Sequence, residues 1–246
     1  DLMVKMRAQA KRFGTKFLEE DVISVDFKNK PFVVQAESCR LLADSVIIAT
    51  GASAKWLGLP SEQKFIGRGV SSCAVCDGPF FKDKKVMVVG GGDSAMREAQ
   101  HISKFASEVT VVHRRDTLRA QASLLELVKS KPNVKFVLNS TIEEVLGQEK
   151  VTGVKLKNTQ SGEISQMEVD GIFIAIGHKP NTEFLQGEVE LNDKGYIVIH
   201  NETKTSVRGM FVAGDVADYC YRQAVTAAGA GCKAAFDAEE YLEKLI

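Results

Sequence analysis

The sequence predicts an α/β protein in which helices pack on parallel sheets, and three observations support this. Residues 85–138 follow the order strand, glycine turn, helix, strand, helix, strand, which is a βαβαβ unit. Two apolar strands, at 46–49 and 172–175, each run into an Ala-x-Gly ending where a backbone could approach a ligand. A third apolar strand, 209–213, is followed by Gly214-Asp215 and an Ala-rich helix. The repeated strand ending predicts two Rossmann-like domains, each a three-layer ββα structure.

The elements before residue 85 are predicted to be short. Apolar residues at near-helical spacing predict an amphipathic helix over 1–13. Strands are predicted over 16–19, 22–27, 32–36 and 45–49. The Gly- and Pro-punctuated stretch 51–69 is predicted to be a linker.

The elements after residue 85 continue the pattern. The βαβαβ unit predicts strands over 86–89, 109–112 and 134–138 and helices over 93–105 and 122–128. Segments 141–146, 151–158 and 163–169 are rich in β-formers and predict an antiparallel meander. Buried strands follow at 171–175 and 209–213, and a helix over 221–245 closes the chain.

Composition excludes several classes of protein. The 246 residues carry 32 basic and 32 acidic side chains, so no overall field favours nucleic acid or an anionic membrane. No apolar run approaches the roughly 20 residues that span a bilayer, and the start does not resemble a signal peptide. Of 5 cysteines only Cys73 and Cys76 are close in sequence, which favours a reducing cytoplasm and one catalytic pair over a secreted disulfide scaffold.

The turn after the strand at 86–89 has the spacing of a dinucleotide fingerprint, Gly-x-Gly-x-x-Ala. Gly90 permits the tight turn, Gly92 lets a pyrophosphate approach the backbone, and Ala95 allows close packing of helix and strand. The helix N-terminus then favours phosphate. A glycine turn kept for packing alone is the alternative. The predicted contacts are Gly90, Gly91, Gly92, Asp93, Ser94 and Ala95.

The end of the second strand indicates which dinucleotide binds. An NAD site would place an acidic residue there for the ribose 2′-hydroxyl. This sequence instead has His113-Arg114-Arg115-Asp116, with Arg119 a turn later. Guanidinium groups suit a 2′-phosphate, so NADPH is the predicted cofactor, although a solvated basic loop is the alternative.

Cys73-x-x-Cys76 allows three interpretations. A structural zinc site would need two further ligands, and Cys39, Cys220 and Cys232 form no second CxxC pair. Two inert buried thiols would not explain the spacing or the acidic neighbour Asp77. A redox disulfide explains both, because a short ring closes readily and a carboxylate can exchange a proton with a thiol. For Asp77 a turn or cap role stays open. No metal is predicted.

Hydride transfer from a nicotinamide to a disulfide normally needs a flavin between them. Gly214-Asp215 places a carboxylate after a buried strand, where it could accept a ribityl hydroxyl. The start of the last helix, Arg222-Gln223-Ala224, could direct amides at the electron-rich edge of an isoalloxazine ring.

In this order, the motifs resemble those of low-molecular-weight thioredoxin reductase. The residues concerned are Ala49-Thr-Gly51, Cys73-Ala-Val-Cys76-Asp77-Gly78, Gly90-Gly-Gly-Asp-Ser-Ala95, His113-Arg-Arg-Asp116, Ala175-Ile-Gly177, Gly214-Asp215 and Arg222-Gln-Ala224. The resemblance implies a homodimeric flavoprotein in which an NADPH domain is inserted into an FAD domain. We therefore predict FAD-domain segments at 1–68 and 196–246 and an NADPH domain with the CxxC pair at 69–195.

The resemblance also implies roles for individual residues. Cys76 would lie next to the flavin, Cys73 would attack the disulfide of thioredoxin, and Asp77 would be the acid/base. Besides the glycine turn, the implied NADPH contacts are His113, Arg114, Arg115, Arg119, Ile176 and Gly177. The implied FAD contacts are Thr50, Gly51, Gly214, Asp215, Arg222, Gln223 and Ala224.

One departure concerns the start of the chain. Members of the family open with a glycine-rich FAD turn, its strand and its helix, which this sequence does not contain. We therefore expect an N-terminally truncated reductase that binds FAD poorly on its own. Two alternatives stay open: a reductase for another dithiol carrier, and a non-catalytic NADPH-binding module.

Overall fold

The computed structural model describes residues 1–245, which form two compact units. One unit is continuous and covers Ser53–Lys179, and the other joins Asp1–Ala52 to the segment that begins at Pro180. The α-helices among these residues are α1 (Leu2–Arg12), α2 (Pro60–Lys64), α3 (Ala74–Asp77), α4 (Asp93–Ile102), α5 (Ala122–Lys129) and α6 (Ala224–Glu243).

Fifteen strands are present among the described residues. The first eight are β1 (Val22–Asp26), β2 (Phe32–Ala36), β3 (Arg40–Ala43), β4 (Val46–Ile48), β5 (Ala52–Ala54), β6 (Val70–Ser71), β7 (Lys85–Val89) and β8 (Glu108–Val112). The others are β9 (Val134–Val137), β10 (Ser140–Gly147), β11 (Val151–Asn158), β12 (Ile164–Glu168), β13 (Gly171–Ile174), β14 (His178–Pro180) and β15 (Met210–Val212).

The continuous unit is built on a five-stranded parallel sheet in the order β6-β13-β7-β8-β9. Alternate residues of β7 face opposite sides, as strand geometry requires. Val86 and Val88 pack with α4 residues such as Met96, whereas Met87 and Val89 pack with the antiparallel meander β10-β11-β12. Helices, parallel sheet and meander therefore form the three predicted layers.

The discontinuous unit repeats the layering on a smaller scale. Strands β4 and β15 pair in parallel, and Phe211 and Ala213 face α6. On the other side, Met210 and Val212 share a core with Phe32 of the antiparallel sheet β1-β2-β3. The predicted α/β class with two ββα units is confirmed.

Some local predictions differ from the structure. Residues 16–19 are not a strand and their side chains are exposed, and the sequence did not predict β3, β6, β14 or α3. Residues 51–69 contain β5 and α2 and are not a linker. Trp56, Leu57, Leu59 and Phe65 from this stretch pack against the parallel sheet.

The unit boundaries fall at 52/53 and 179/180, compared with the predicted 68/69 and 195/196. Burial explains the difference at each place. Phe65 packs into the core of the continuous unit, and Leu185 and Val189 pack with Phe27 and Ile48 in the discontinuous unit.

Candidate active site

Cys73 and Cys76 are joined by a disulfide, with their Cα atoms 5.3 Å apart. The ring lies in the continuous unit, between the end of β6 and the first residues of α3, where Cys73 is the N-cap. Its sulfur accepts a hydrogen bond from the Cys76 amide at 3.2 Å. The predicted ring is present, with Cys73 half-buried and Cys76 exposed.

Two further side chains hold the ring, and neither was predicted from the sequence. Ser71 donates its hydroxyl proton to Asp77 Oδ2 at 2.5 Å and accepts the Cys73 amide at 3.1 Å. Glu98 Oε2, on α4, accepts the Ala74 amide at 2.7 Å. The sequence signal for Ser71 was only its position two residues before Cys73, and Glu98 had none.

The glycine turn between β7 and α4 is shaped to leave its backbone open. A Cβ at Gly90 would overlap the Ala175 carbonyl oxygen, and one at Gly91 would overlap the ring of His113. A Cβ at Gly92, in contrast, would meet no atom within 4 Å. The turn therefore requires two glycines for packing, while Gly92 faces open space at the start of α4, where an anion is favoured.

The loop before α5 is hydrogen-bonded to the glycine turn. The Gly91 carbonyl accepts the Arg119 amide at 2.7 Å, and Asp93 Oδ1 accepts the Gln121 amide at 2.8 Å. The Asp93 carboxylate thus fixes the loop that precedes α5. Ser94 is half-buried and Ala95 fully buried against β7 and β8.

His113 is buried at the end of β8, and its Nε2 has no hydrogen-bond partner among the described residues. Burial lowers the pKa of His113, and the positive charges of Arg119, Arg114 and Arg115 lower it further, against a hydrogen bond to the Thr117 backbone. The three arginines are exposed. Three exposed arginines whose charges act on one buried histidine make a positive site at the end of β8, so these residues fit the 2′-phosphate of NADPH.

Ile176 and Gly177 follow β13, the parallel neighbour of β7. The carboxyl ends of these strands meet at one edge of the sheet, which places the two residues beside the glycine turn. Gly177 has a φ of +107° and its carbonyl accepts the Lys55 amide at 3.0 Å. Ile176 is exposed.

Thr50 and Gly51 follow β4 in the discontinuous unit. The Thr50 hydroxyl donates to the Asn181 carbonyl at 2.7 Å, and the Asn181 side chain donates to the Thr50 carbonyl at 2.8 Å. Asn181 was not predicted from the sequence. The reciprocal bonds fix the direction in which the chain leaves β4.

Gly214 and Asp215 follow β15 and share the sheet edge of Thr50, because β4 and β15 are parallel. Gly214 has a φ of +77°, a backbone conformation that favours glycine. Burial, with the negative charge of Asp218, raises the pKa of Asp215, against the charge of Arg222. No donor among residues 1–245 reaches the Asp215 carboxylate, so it is available to a ligand hydroxyl.

The segment before α6 is organised by Asp218, another residue that the sequence analysis missed. Its carboxylate accepts the amides of Cys220 and Tyr221 at 2.9 Å and of Arg222 at 3.3 Å. Burial opposes the charge on Asp218, but these amides and the Thr226 hydroxyl hold its pKa below the usual value. An Asp two residues before the accepted amide is the signal of an Asx turn.

Gln223 is the N-cap of α6 and forms a reciprocal capping box with Thr226. The amides of Ala224 and Val225, in the first turn, have no acceptor in the described part of the chain. Free helix N-terminal amides beside a carboxylate that lacks a donor suit the polar edge and the ribityl chain of a flavin.

The structure therefore gathers the predicted residues in two sets, one in each unit. The dithiol and the NADPH set lie in the continuous unit, and the FAD set lies in the discontinuous unit. Cys39, Cys220 and Cys232 are not in a disulfide. Within residues 1–245 no group of three or more His, Cys, Asp or Glu side chains could hold a metal, and no helix could cross a membrane.

Comparison with known proteins gives a consistent result. Residues 6–231 match the family described as pyridine nucleotide-disulphide oxidoreductase. The thioredoxin reductase of Streptomyces coelicolor is 48% identical over all of this chain and 77% of its own length. A Pseudomonas fluorescens protein named glucosaminate ammonia-lyase is also 48% identical, over 99% of this chain and 78% of its own length.

The solved structure of thioredoxin reductase from Giardia duodenalis aligns with a TM-score of 0.93 and 42% identity, covering 98% of this chain and 80% of that one. The disulfide ring, the open glycine turn and these likenesses agree. The chain therefore belongs to the pyridine nucleotide-disulphide oxidoreductases and, within them, to the thioredoxin reductase family.

Proposed function

We propose that the Cys73–Cys76 disulfide is the centre through which this reductase passes electrons from NADPH to the disulfide of thioredoxin. Family membership makes the chain an NADPH-dependent flavoprotein disulfide reductase with FAD and NADPH as cofactors. FAD, when bound, relays two electrons between a nicotinamide and a dithiol. The thioredoxin partner and the individual residue roles are our proposal.

The continuous unit holds NADPH in this proposal. Gly92, where a Cβ would meet no atom within 4 Å, would hold the pyrophosphate, and the α4 amides and helix dipole would stabilise its charge. Arg114, Arg115 and Arg119 bind the 2′-phosphate, and the buried His113 forms the floor of this subsite. Gly90, Gly91, Asp93, Ser94, Ala95, Ile176 and Gly177 shape the cleft around it.

The discontinuous unit holds the flavin end of FAD. The Asp215 carboxylate would accept a ribityl hydroxyl, and the free amides at the start of α6 would hold the pyrimidine edge of the ring. Thr50, Gly51 and Gly214 let the backbone approach the cofactor, and Arg222, Gln223 and Ala224 form the turn into α6.

Thiol–disulfide exchange completes the reaction. The Cys73 thiolate attacks one sulfur of the substrate disulfide, forms a mixed disulfide and releases one substrate thiolate. Cys76 then attacks the Cys73 sulfur, which closes the ring again and releases the second thiolate. The two protons lost by Cys73 and Cys76 equal the two gained by the product thiols, and Asp77 transfers a proton between them.

We also propose that the enzyme works as a homodimer in the cytoplasm. Cys39, Cys220 and Cys232 stay unpaired, and the only disulfide among the described residues is the short ring expected of a redox centre. This usage of cysteine fits a reducing compartment.

The closed Cys73–Cys76 ring carries the proposal, and Cys76→Ser tests it. Because we expect weak FAD binding, the purified chain is supplied with an excess of FAD, and it should then oxidise NADPH when oxidised thioredoxin is added. Cys76→Ser should abolish this turnover while NADPH binding, measured by calorimetry, stays within twofold. Turnover that survives Cys76→Ser would overturn the proposal.

The same assay distinguishes the alternatives. A non-catalytic NADPH-binding module would bind NADPH but give no turnover with any disulfide. A reductase for another dithiol carrier would reduce an aromatic disulfide dye, but not thioredoxin.

A further inference from the structure

The hydroxyl of Ser71 forms hydrogen bonds to two residues at the disulfide ring. Ser71 ends β6, the edge strand of the parallel sheet, and is only 8% exposed. Its oxygen bonds both the Asp77 carboxylate, at 2.5 Å, and the Cys73 amide, at 3.1 Å. One buried atom thus connects the proposed acid/base to the backbone of the proposed nucleophile.

A hydroxyl group can keep this connection in both protonation states of its partner. It has one proton to donate and two lone pairs to accept with. Toward an ionised Asp77 it donates, and toward a protonated Asp77 it accepts while still accepting the Cys73 amide. A methyl group can form neither hydrogen bond. A group that only donates could bond only the ionised carboxylate, and a group that only accepts could bond only the protonated one.

Without Ser71 the carboxyl would have no fixed direction. Asp77 is the last residue of the four-residue helix α3, and no other side-chain hydrogen bond to its carboxylate occurs among residues 1–245. Its backbone amide bonds the Cys73 carbonyl at 3.1 Å, which places the residue but leaves its side-chain torsions free.

We propose that Ser71 is a positioning residue for disulfide exchange, holding the Asp77 carboxyl beside the Cys73 backbone whether that carboxyl is ionised or protonated. The proposal rests on the proposed acid/base role of Asp77. In the exchange step, the substrate S–S bond breaks as the Cys73 sulfur bonds to one of its atoms. Asp77 takes the proton that the Cys73 thiol loses and then gives it to the departing thiolate. The Ser71 hydroxyl therefore accepts from Asp77 between these two transfers and donates to it before and after them.

The test uses the exchange half-reaction, which needs neither NADPH nor FAD. The full chain is reduced with dithiothreitol, freed of it, and mixed with an aromatic disulfide dye in a single turnover between about pH 5.5 and pH 9. Five variants are compared with the unmodified chain: Ser71→Ala, Ser71→Thr, Ser71→Val, Asp77→Asn, and Ser71→Ala combined with Asp77→Asn.

We expect Ser71→Ala to slow exchange about tenfold at the optimum, the loss that one charge-assisted hydrogen bond corresponds to. Its pH profile should approach that of Asp77→Asn, and the double variant should be no slower than Asp77→Asn alone. Ser71→Thr keeps the hydroxyl and should restore the rate within about threefold, whereas Ser71→Val, of the same shape, should not. The neighbouring Ser72→Ala is the control and should change nothing.

Each outcome has a definite meaning. A normal rate and profile in Ser71→Ala, equal rates in the Thr and Val variants, or additive losses in the double variant would overturn the role of Ser71. If Ser71→Ala does not fold, the Thr and Val pair decides. If Asp77→Asn leaves the exchange rate and its pH profile unchanged, the acid/base assignment and this inference both fail. If the reduced, unmodified chain shows no exchange at all, the proposed function itself is refuted.

Discussion

The Glu98 carboxylate accepts the Ala74 amide at 2.7 Å, which ties the helix after the glycine turn to the disulfide ring. Glu98 lies on α4, whose first turn faces the proposed pyrophosphate site, and Ala74 lies between the two cysteines in the ring. Ala74 packs against the α4 residues Ala95 and Met96. The nucleotide-binding helix and the redox centre therefore form one packed piece.

Glu98→Ala should loosen the ring, because the amide of the buried Ala74 would lose its acceptor. Leaving such an amide unpaired costs about 1–3 kcal/mol. We expect NADPH-driven disulfide reduction to fall about tenfold with NADPH affinity unchanged, measured by steady-state kinetics and calorimetry. Glu98→Gln retains an acceptor oxygen and should lose less than about threefold. Equal losses in the two variants would contradict this role.

Two adjacent glycines should respond differently to alanine. Gly91→Ala places a Cβ on the buried His113 ring, so the unfolding free energy should fall by about 1–3 kcal/mol. Gly92→Ala meets open space and should leave stability within about 0.5 kcal/mol, while NADPH affinity falls at least about tenfold because the methyl group occupies the pyrophosphate position. Denaturant titration and calorimetry separate the two effects. NADPH binding unchanged in Gly92→Ala would place the pyrophosphate elsewhere.

The arginines after β8 should set the choice between NADPH and NADH. Replacing both Arg114 and Arg115 with Ala removes two charge-assisted bonds to a 2′-phosphate, each worth roughly tenfold in affinity. NADPH affinity should fall about 100-fold, whereas NADH affinity should stay within about twofold, since NADH has no 2′-phosphate. Arg68→Ala, an exposed arginine on the same unit, is the control. A parallel loss for both nucleotides would point to a general structural effect.

His113 should make the protein less stable in mild acid. Burial and the neighbouring arginines lower the pKa of His113 in the folded state below the ordinary 6.5, so the unfolded chain binds more protons beneath that pH. The stability difference is therefore absent above about pH 6.5 and grows as the pH falls toward the folded pKa. Urea titrations at several pH values should show a shallower decline for His113→Asn.

His101 contributes equally to both proteins in that experiment, so its effect cancels. Burial and the charge of Lys104 lower its pKa as well, so it contributes a decline of the same sign. His101 is present in both proteins that are compared, and the difference between them isolates His113. Identical pH dependence in the two proteins would show that His113 carries no such linkage.

The sequence alone predicted the redox pair and the nucleotide-binding turn, because each depends on residues that are close together in the sequence. The ring needs two cysteines three positions apart, and the glycine turn needs a strand before it and a helix after it. The repeated Ala-x-Gly strand ending predicted two ββα units, and in one of them Val86 and Met87 face opposite layers, as strand alternation requires. Each of these features depends only on residues that are neighbours in the sequence.

Tertiary structure alone decided which side chains hold that chemistry in place. Glu98 reaches Ala74 across 24 positions, and Asn181 reaches Thr50 across 131, distances over which no periodicity in the sequence carries information. The stretch 51–69 was also misjudged, because its glycines and Pro60 resemble a linker while Trp56 and Phe65 pack into a core formed by distant strands. Packing depends on the summed burial of many remote partners, and only the folded chain brings those partners together.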